Sequence, residues 1–528
     1  MVNLLSLLSL RDSKIAEQAE EIKSLKAALA KKQRVPAEPD LGGASQLDKS
    51  AFEKDKSKEK KSSNRTGKRS KKKDLTIHEE KFVKASNVPK DWVLLKHSPV
   101  IIEDVIVQAH NVCYQLEVWR SPDGKKQMTA KLPEAFQGHQ FGPNLRALCL
   151  SLYHDLGSTQ PCIANFLKSI DVDISAGTIN KMLIANTYLF TQEIEQVLET
   201  GKKCSSELRT DDSGAKHNNE NYFTNCINTD YFAYFHTSKT KSRINFLEIL
   251  RQSNPAYTLN QASLDYYESV NCPKGAFELL KKDFAELGSN VLANQEELNA
   301  YFENHKITGA TTKRIITEGL LIGTIVADGF APNTIIHSDD AGQFKLFVHS
   351  LCWKHIERPL RKLKTYTSLQ EEQLNDVKHQ FWQLYQKLKK YKLEPDPNLI
   401  DTLRSEFDKM CEHRAGFFGL NEIMSNIRKK KEKMLVVLKR PETSLQNNSS
   451  ERDIRTFVKR RKVSGTTKSE AGLKAKDTFL SLKKTCEKLG ISFWEYLKDR
   501  IHKTNKIPNL ADIVKQKTNV QNPNWANA

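Results

Sequence analysis

A mixed α/β protein with helical insertions, preceded by smaller modules, is what the sequence predicts, and three patterns carry that prediction. Short β-prone runs follow one another across tight turns between Glu207 and Thr237. From Thr334 a strand, an acidic pair and a second strand run on into a helix, and helix-forming stretches separate these blocks. At 528 residues the chain exceeds the roughly 250–300 residues at which one core stops growing, so about two to four domains are expected.

Composition narrows the function classes. The chain is 38% hydrophobic and 28% charged, and no apolar run approaches the roughly 20 residues that a membrane helix needs. The opening MVNLLSLLSLRDSK lacks the basic start and small-residue cleavage site of a signal peptide. A soluble cytoplasmic protein with no membrane partner is expected. The formal charge of +19 favours a polyanionic partner, above all nucleic acid, and with it a location at the nucleoid. Nine cysteines stand singly without a CxxC pair and read as reduced thiols.

In chain order, Leu8, Ile15, Ile22 and Leu29 recur every seven residues with Leu25 in a complementary position, predicting a coiled coil over 1–33 and hence a homo-oligomer. Arg11 and Gln18 stand where a zipper places Leu, so a lone amphipathic helix is the alternative. Residues 34–74 form a basic linker without apolar content, including KDKSKEKKSSNRTGKRSKKK, which reads as disordered. It is either a solubilising tether or a non-specific phosphate contact. Over 75–140 the runs VIIEDVIVQAH, VCYQLEVW and KKQMTAKL, with a turn at Pro122–Gly124, predict a small β-rich module. His110 and Cys113 have no second pair to complete a zinc site. Over 141–200 two short helices, the first starting at Ser158–Gln160 and the second opened by Ser175, match a helix-turn-helix. Many helical hairpins share this pattern; read as a DNA-binding element, it turns Thr178, Asn180 and Lys181 to the groove.

Three acidic positions follow. A strand at Glu207–Thr210 reaches Asp211-Asp212 and begins a three-strand meander. In IIHSDDAGQF a strand ends at Asp339-Asp340, and KLFVHSLCW and the helix WKHIERPLRKL come next. A charge beside a β-branched run is costly to bury, yet it suits a metal ligand. In SLQNNSSERDIRTFVKRRKVSG, Asn447 or Asn448 is placed to cap a helix whose first turn holds Glu451. Arg452, Arg455, Lys459, Arg460, Arg461 and Lys462 follow it as a cluster suited to DNA phosphate. A surface ion pair of Glu451 with Arg455 is the simpler reading of part of that pattern.

Asp-Asp-Ser-Gly (211–214), Ser-Asp-Asp-Ala-Gly-Gln-Phe with Cys-Trp-Lys-His (338–344, 352–355), and Asn-Asn-Ser-Ser-Glu-Arg-Asp-Ile-Arg with Arg-Lys-Val-Ser-Gly (447–455, 461–465) resemble the successive signatures of the IS66-family transposases. The resemblance covers most of the chain. It implies an RNase H-like DDE catalytic domain, placed over 201–500; helix-forming stretches at about 250–313 and 363–440 read as helical insertions within it, and 501–528 as a C-terminal tail. It assigns the catalytic, metal-binding acids to Asp211, Asp339 and Glu451, with Asp212 and Asp340 as alternatives. Cys352 and His355 match its Cys-x-x-His element, as support to the site rather than zinc ligands. Two departures stand out: the family's CxxC zinc segment is missing, and the first two acids are 128 positions apart (339 − 211).

The implied chemistry uses two Mg²⁺ (or Mn²⁺) ions roughly 3.5–4 Å apart, hard cations that prefer carboxylate oxygen. Asp211 would bridge them, with Asp339 on one and Glu451 on the other. Water frees a 3′-OH at the element end, and that hydroxyl attacks target DNA. Terminal inverted repeats and target DNA are the expected partners, together with possible accessory proteins of the element. A catalytically inactive DNA-binding regulator descended from such an enzyme is the alternative, and a nuclease without strand transfer is a third reading.

Overall fold

A computed structural model of the protein describes residues 76–90, 92–132 and 140–521. The expected coiled coil over 1–33 and basic linker over 34–74 lie outside the described residues. Contacts divide the chain into two units, Met1–Ile102 and Glu103–Ala528. In the first, the described residues form no helix or strand. In the second, the stretch expected to be β-rich forms one hairpin, β1 (Val118–Arg120) and β2 (Gln127–Thr129), joined through the predicted turn. VIIEDVIVQAH forms no strand, and its Val105, Ile106 and Val107 are exposed. Alternation alone does not make a strand where no opposing surface buries the apolar side.

Helices α1 (Pro143–His154), α2 (Gln160–Lys168), α3 (Ala176–Ile184) and α4 (Thr187–Cys204) come next. As expected, Ser175 opens α3, its hydroxyl accepting from the Thr178 amide at 3.1 Å, while Thr159 caps α2. Strands β3 (Glu207–His217), β4 (Glu220–Asn228) and β5 (Ala233–Ser238) then form the antiparallel meander. Its first turn places Asn218 and Asn219 at φ 48° and 66°. That left-handed pair, tolerated by Asn, matches the twist of a two-residue hairpin.

Between the meander and the next sheet strand run α5 (Arg243–Arg251), β6 (Tyr257–Leu259), α6 (Gln261–Ser269), α7 (Lys274–Leu287), β7 (Asn290–Leu292), α8 (Gln295–Asn304) and α9 (Ala310–Ala327). The insertion expected at about 250–313 is therefore helical with one two-stranded ribbon, β6 with β7. Helix α9 carries the apolar run ITEGLLIGTIV and is buried along most of its length. Close approach requires its glycines: a Cβ at Gly323 would sit 2.0 Å from the Thr258 carbonyl, and one at Gly319 would strike the Tyr267 ring.

Strands β8 (Ile335–Ser338) and β9 (Val348–Leu351) complete a five-stranded sheet in the order β5-β4-β3-β8-β9, with β3, β8 and β9 mutually parallel. Helix α10 (Trp353–Lys362) leaves β9 and meets a second insertion, built of α11 (Ser368–Leu393), α12 (Ile400–Met410), α13 (Phe418–Arg428) and the short α14 (Lys431–Met434). This insertion has its own core around Trp353, Phe381, Leu384, Phe407 and Met424. The chain returns to the sheet as α15 (Asn448–Ser464), seated through Ile454 and Phe457 with Ala215 and Cys226.

Helix α16 (Glu470–Leu489) covers the outer edge of β5. The amides of Ala233, Phe235 and Thr237 donate to Thr485, Ser481 and Asp477 in turn, at 3.2, 2.8 and 2.6 Å. Alternate residues of an edge strand are thus met by residues four apart on a helix, satisfying amides that would otherwise template another strand. Of the tail expected over 501–528, the described part is structured: after α17 (Phe493–His502), α18 (Leu510–Gln521) buries Leu510, Ala511 and Val514 and packs on α4. Its apolar stripe is short and follows a proline, so the chain end reads as polar until α4 supplies the opposing face. No described helix is long and apolar enough to cross a membrane.

The Asp477 contact has a pH consequence. Burial pushes its carboxyl up from 3.8 to about 7, against the pull of Lys476 and the Thr237 hydrogen bonds. The folded state therefore holds this proton more tightly than the unfolded chain, and stability falls as pH rises from about 4 to about 7. Asp477→Asn is expected to remove its share of that slope, at most about 4 kcal/mol, in urea unfolding at pH 5 and 7.5. Equal slopes in the two proteins would refute this.

Candidate active site

The parallel pairing of β3 with β8 sets Arg209 against His337. Asp211 and Asp339 each lie two residues beyond that last pair, and the charge of Asp339 acts on Asp211. The gap of 128 positions is thus the register offset of two neighbouring strands, and the long insertion between them is looped out. Against expectation, β3 does not stop at Thr210 but continues through both acids to His217, so Asp211 lies inside a strand, opposite Cys226 on β4. Asp339 follows the last residue of β8, and its Oδ1 accepts from the Ala341 amide at 3.0 Å, which fixes the side chain in the turn.

Each acidic pair is divided by its neighbours. Asp212 accepts from Gln343 Nε2 and lies 3.8 Å from Lys241 Nζ. Asp340 is held by Lys430 at 2.8 Å and Lys345 at 3.4 Å. Burial works against its charge, yet the two lysines keep its carboxyl below the ordinary value. Among the described residues, neither Asp211 nor Asp339 has a cation at ion-pair distance. Burial, reinforced by the charges of Asp339, Asp212 and Glu451, pushes Asp211 up to about 7 although the Asp212 amide donates to it. A carboxyl so disfavoured as an anion, beside two other acids, is one a cation would stabilise.

Glu451 sits in the first turn of α15, its amide bonded to the Asn447 carbonyl at 3.1 Å. Asn447 occupies the N-cap position but does not cap with its side chain. Its Nδ2 instead donates to the Thr210 carbonyl at 2.8 Å and its backbone amide to Cys352 Sγ at 3.2 Å. One residue thereby ties the third acidic block to the strand carrying the first and to the segment following the second. Cys352 is fully buried and its thiol is raised by that burial, so it braces the chain. His355 Nε2 lies 3.6 Å from Glu451 Oε1, and burial lowers the imidazole toward the neutral form. Arg455 stands 3.7 Å from the other Glu451 oxygen, the ion pair that the spacing allowed.

The basic cluster divides as well. Arg460 lies over the Tyr153 ring at 3.8 Å and donates to the Ser158 carbonyl, and Arg461 donates to the Gly214 carbonyl. Within the chain these two, expected to contact DNA, hold α15 to the start of the helical region and to β3. Arg452, Lys459 and Lys462 are exposed, with no charged or hydrogen-bonded partner among the described residues. In the predicted helix-turn-helix, Asn180 accepts from Gln160 at 2.9 Å, Thr178 meets the Ser175 hydroxyl at 3.0 Å and Lys181 is exposed. No hydrogen bond or ion pair among the described residues joins these three to the acids, and the connection between α2 and α3 runs over 169–175. Gln343, Lys241, Lys430 and Asn447 were not singled out as part of the site. Only Gln343 and Asn447 stand inside the signature blocks; nothing local marks the two lysines.

Neighbouring parallel strands thus carry acids from distant blocks, and a third acid stands on the helix packed against the sheet. Residues 289–475 match the family described as transposase IS66. The chain belongs to the IS66 transposase family. It is also similar to an uncharacterized protein, y4jO, of Sinorhizobium fredii (strain NBRC 101917 / NGR234), at 36% identity over 305 residues, which are 58% of this chain and 94% of that one. No solved structure matches the chain.

Proposed function

We propose that this protein is an active DDE transposase, binding the ends of its element and catalysing metal-dependent DNA cleavage and strand transfer with Asp211, Asp339 and Glu451. The observation that supports this reading is that the charges of Asp339 and Glu451 both act on the Asp211 carboxyl, which stands just beyond the paired segment of β3 and β8. Three antiparallel strands followed by two parallel ones, with helices on the sheet, support an RNase H-like catalytic domain. Among the described residues no three His, Cys, Asp or Glu side chains form one ligand group. Mg²⁺ commonly takes one or two protein carboxylates and fills its shell with water and substrate phosphate, so the donor set still fits. Asp211 and Asp339 would hold one ion, Asp211 and Glu451 the other. Bound there, such ions activate an attacking oxygen and neutralise the phosphate under attack.

The protein's own residues do the rest. Asn447 holds the helix bearing Glu451 to the strand bearing Asp211 and, through Cys352, to the segment after β9, so the acids are positioned before DNA arrives. Gln343 and Lys241 occupy Asp212, and Lys430 and Lys345 occupy Asp340, leaving one acid of each pair free to ligate. Arg452, Lys459 and Lys462 offer charge to the DNA backbone. Thr178, Asn180 and Lys181 on α3 are the proposed reading residues, and two copies of the chain, joined through residues 1–33, would bring two ends together. Solution mass with and without that segment tests the dimer.

The decisive experiment is cleavage and joining of a duplex carrying the element's ends, with Mg²⁺ and with chelator. Joined product in metal alone supports the reading; a protein that binds such DNA but never cuts it is a regulator instead. Ligation also couples to protons. Because Asp211 titrates at about 7 and must be ionised to hold a cation, Mg²⁺ affinity should climb as pH rises from 6 to 7 and flatten above about 8. Calorimetry in buffers of different ionisation enthalpy would register a released proton near neutrality. Identical affinity at pH 6 and 8 would count against Asp211 as a ligand.

A further inference from the structure

A cleft of about 580 Å³ opens beside Asp339, between α10 and α13. Its walls are Ile356 and Pro359 from one helix and Ile423 and Ile427 from the other, with Asn426, Arg358 and Lys430 among its polar groups. Asp340 also lines it, but Lys430 and Lys345 compensate that charge. Arg358 is exposed and has no ion-pair partner among the described residues. The size lies in the range of small-ligand sites and is too small for a duplex, whose bases are stacked and paired. A single nucleoside would fit. Branched aliphatic walls suit the two faces of a base, a side-chain amide suits its edge, and a guanidinium suits the phosphate attached to it. Asp339 lines the cleft too, so whatever enters adjoins the acids.

We infer that this cleft receives one unpaired nucleotide of the DNA strand next to the phosphate being cut, with its base between Ile356, Pro359, Ile423 and Ile427 and its phosphate at Arg358. The inference rests on reading the three acids as a DNA-cutting site. The second insertion then has a defined task. Helix α13 closes one side of a slot whose other side is the helix emerging from the catalytic sheet, and DNA must open locally to occupy it.

The test uses the full chain in chelator and two 20-base-pair duplexes, one fully paired and one with a single unpaired 2-aminopurine. Anisotropy reads affinity and 2-aminopurine emission reads the environment of the base. Wild type should bind the unpaired duplex about tenfold more tightly, the equivalent of one stacked base. Asn426→Trp fills the cleft from an exposed position and should abolish that preference while still binding the paired duplex. Arg358→Glu, also at an exposed position, should reduce it even if the first variant fails to fold. No preference in wild type, or a preference that survives in both variants, overturns the inference. So does free deoxyadenosine monophosphate binding as tightly as the unpaired duplex, which would make the ligand a free nucleotide. Cutting is scored separately in Mg²⁺: a protein that shows the cleft-dependent preference but never cuts refutes the transposase reading alone, and one that cuts without the preference refutes the cleft alone.

Discussion

Asp339→Asn is expected to abolish metal-dependent DNA cleavage, by about a thousandfold or more, while leaving affinity for DNA unchanged within about twofold. The amide preserves the side chain's size and still accepts from the Ala341 amide, so the turn after β8 keeps its shape. What it removes is one anionic oxygen donor. Asp340 is poorly placed to substitute, since Lys430 and Lys345 already hold it. The converse change, Asp340→Asn, should therefore cost far less activity than Asp339→Asn. Equal losses in the two variants would show that the choice within the pair is wrong, and cleavage that persists in Asp339→Asn would remove the acid from the mechanism.

Trp353→Ala is expected to lower stability by about 3–5 kcal/mol, seen as a shifted urea midpoint. Trp353 is fully buried, packs against Phe381 with ring centroids 4.9 Å apart and planes tilted by 55°, and donates from its indole to the Met434 carbonyl at 3.0 Å. The truncation opens a cavity in the second insertion's core and leaves a buried carbonyl unpaired, two penalties that add. The damage should not stay local. Trp353 begins α10, the helix that carries His355 to Glu451, so cleavage should weaken even at temperatures where the variant remains folded. A variant that melts like wild type would mean that the insertion's core does not depend on this ring.

Much of this was legible in the sequence because it was written in local patterns. The meander announced itself through β-prone runs and an Asn-Asn turn, and Ser175 and Thr159 marked helix starts. The acids were visible as charges next to apolar runs. The extent of β3 was not, because a strand that continues through two carboxylates violates the local expectation and is stabilised by partners distant in sequence, β4 across the pair and Asn447, Arg461 and Thr467 at its carbonyls. The partners that set Asp212 apart from Asp211, and Asp340 from Asp339, come from elsewhere in the chain and were not legible: Gln343 and Lys241 for one, Lys430 and Lys345 for the other. Arg460 and Arg461 look like phosphate ligands in a basic run, and nothing local in the sequence announces their contacts with the Tyr153 ring and the Gly214 carbonyl. The apolar alternation near Val105 misled for the opposite reason: periodicity was present and a burying surface was not.

The hydroxyl and carboxylate comb of α16 along β5 bears on how copies of this chain can meet. Sheets often associate by adding a strand at a free border, which gives large, continuous assemblies. Here that border is chemically occupied at every amide facing outward, by side chains that cannot be displaced without burying an unpaired donor. Copies of this chain are thereby kept from joining strand to strand at that border.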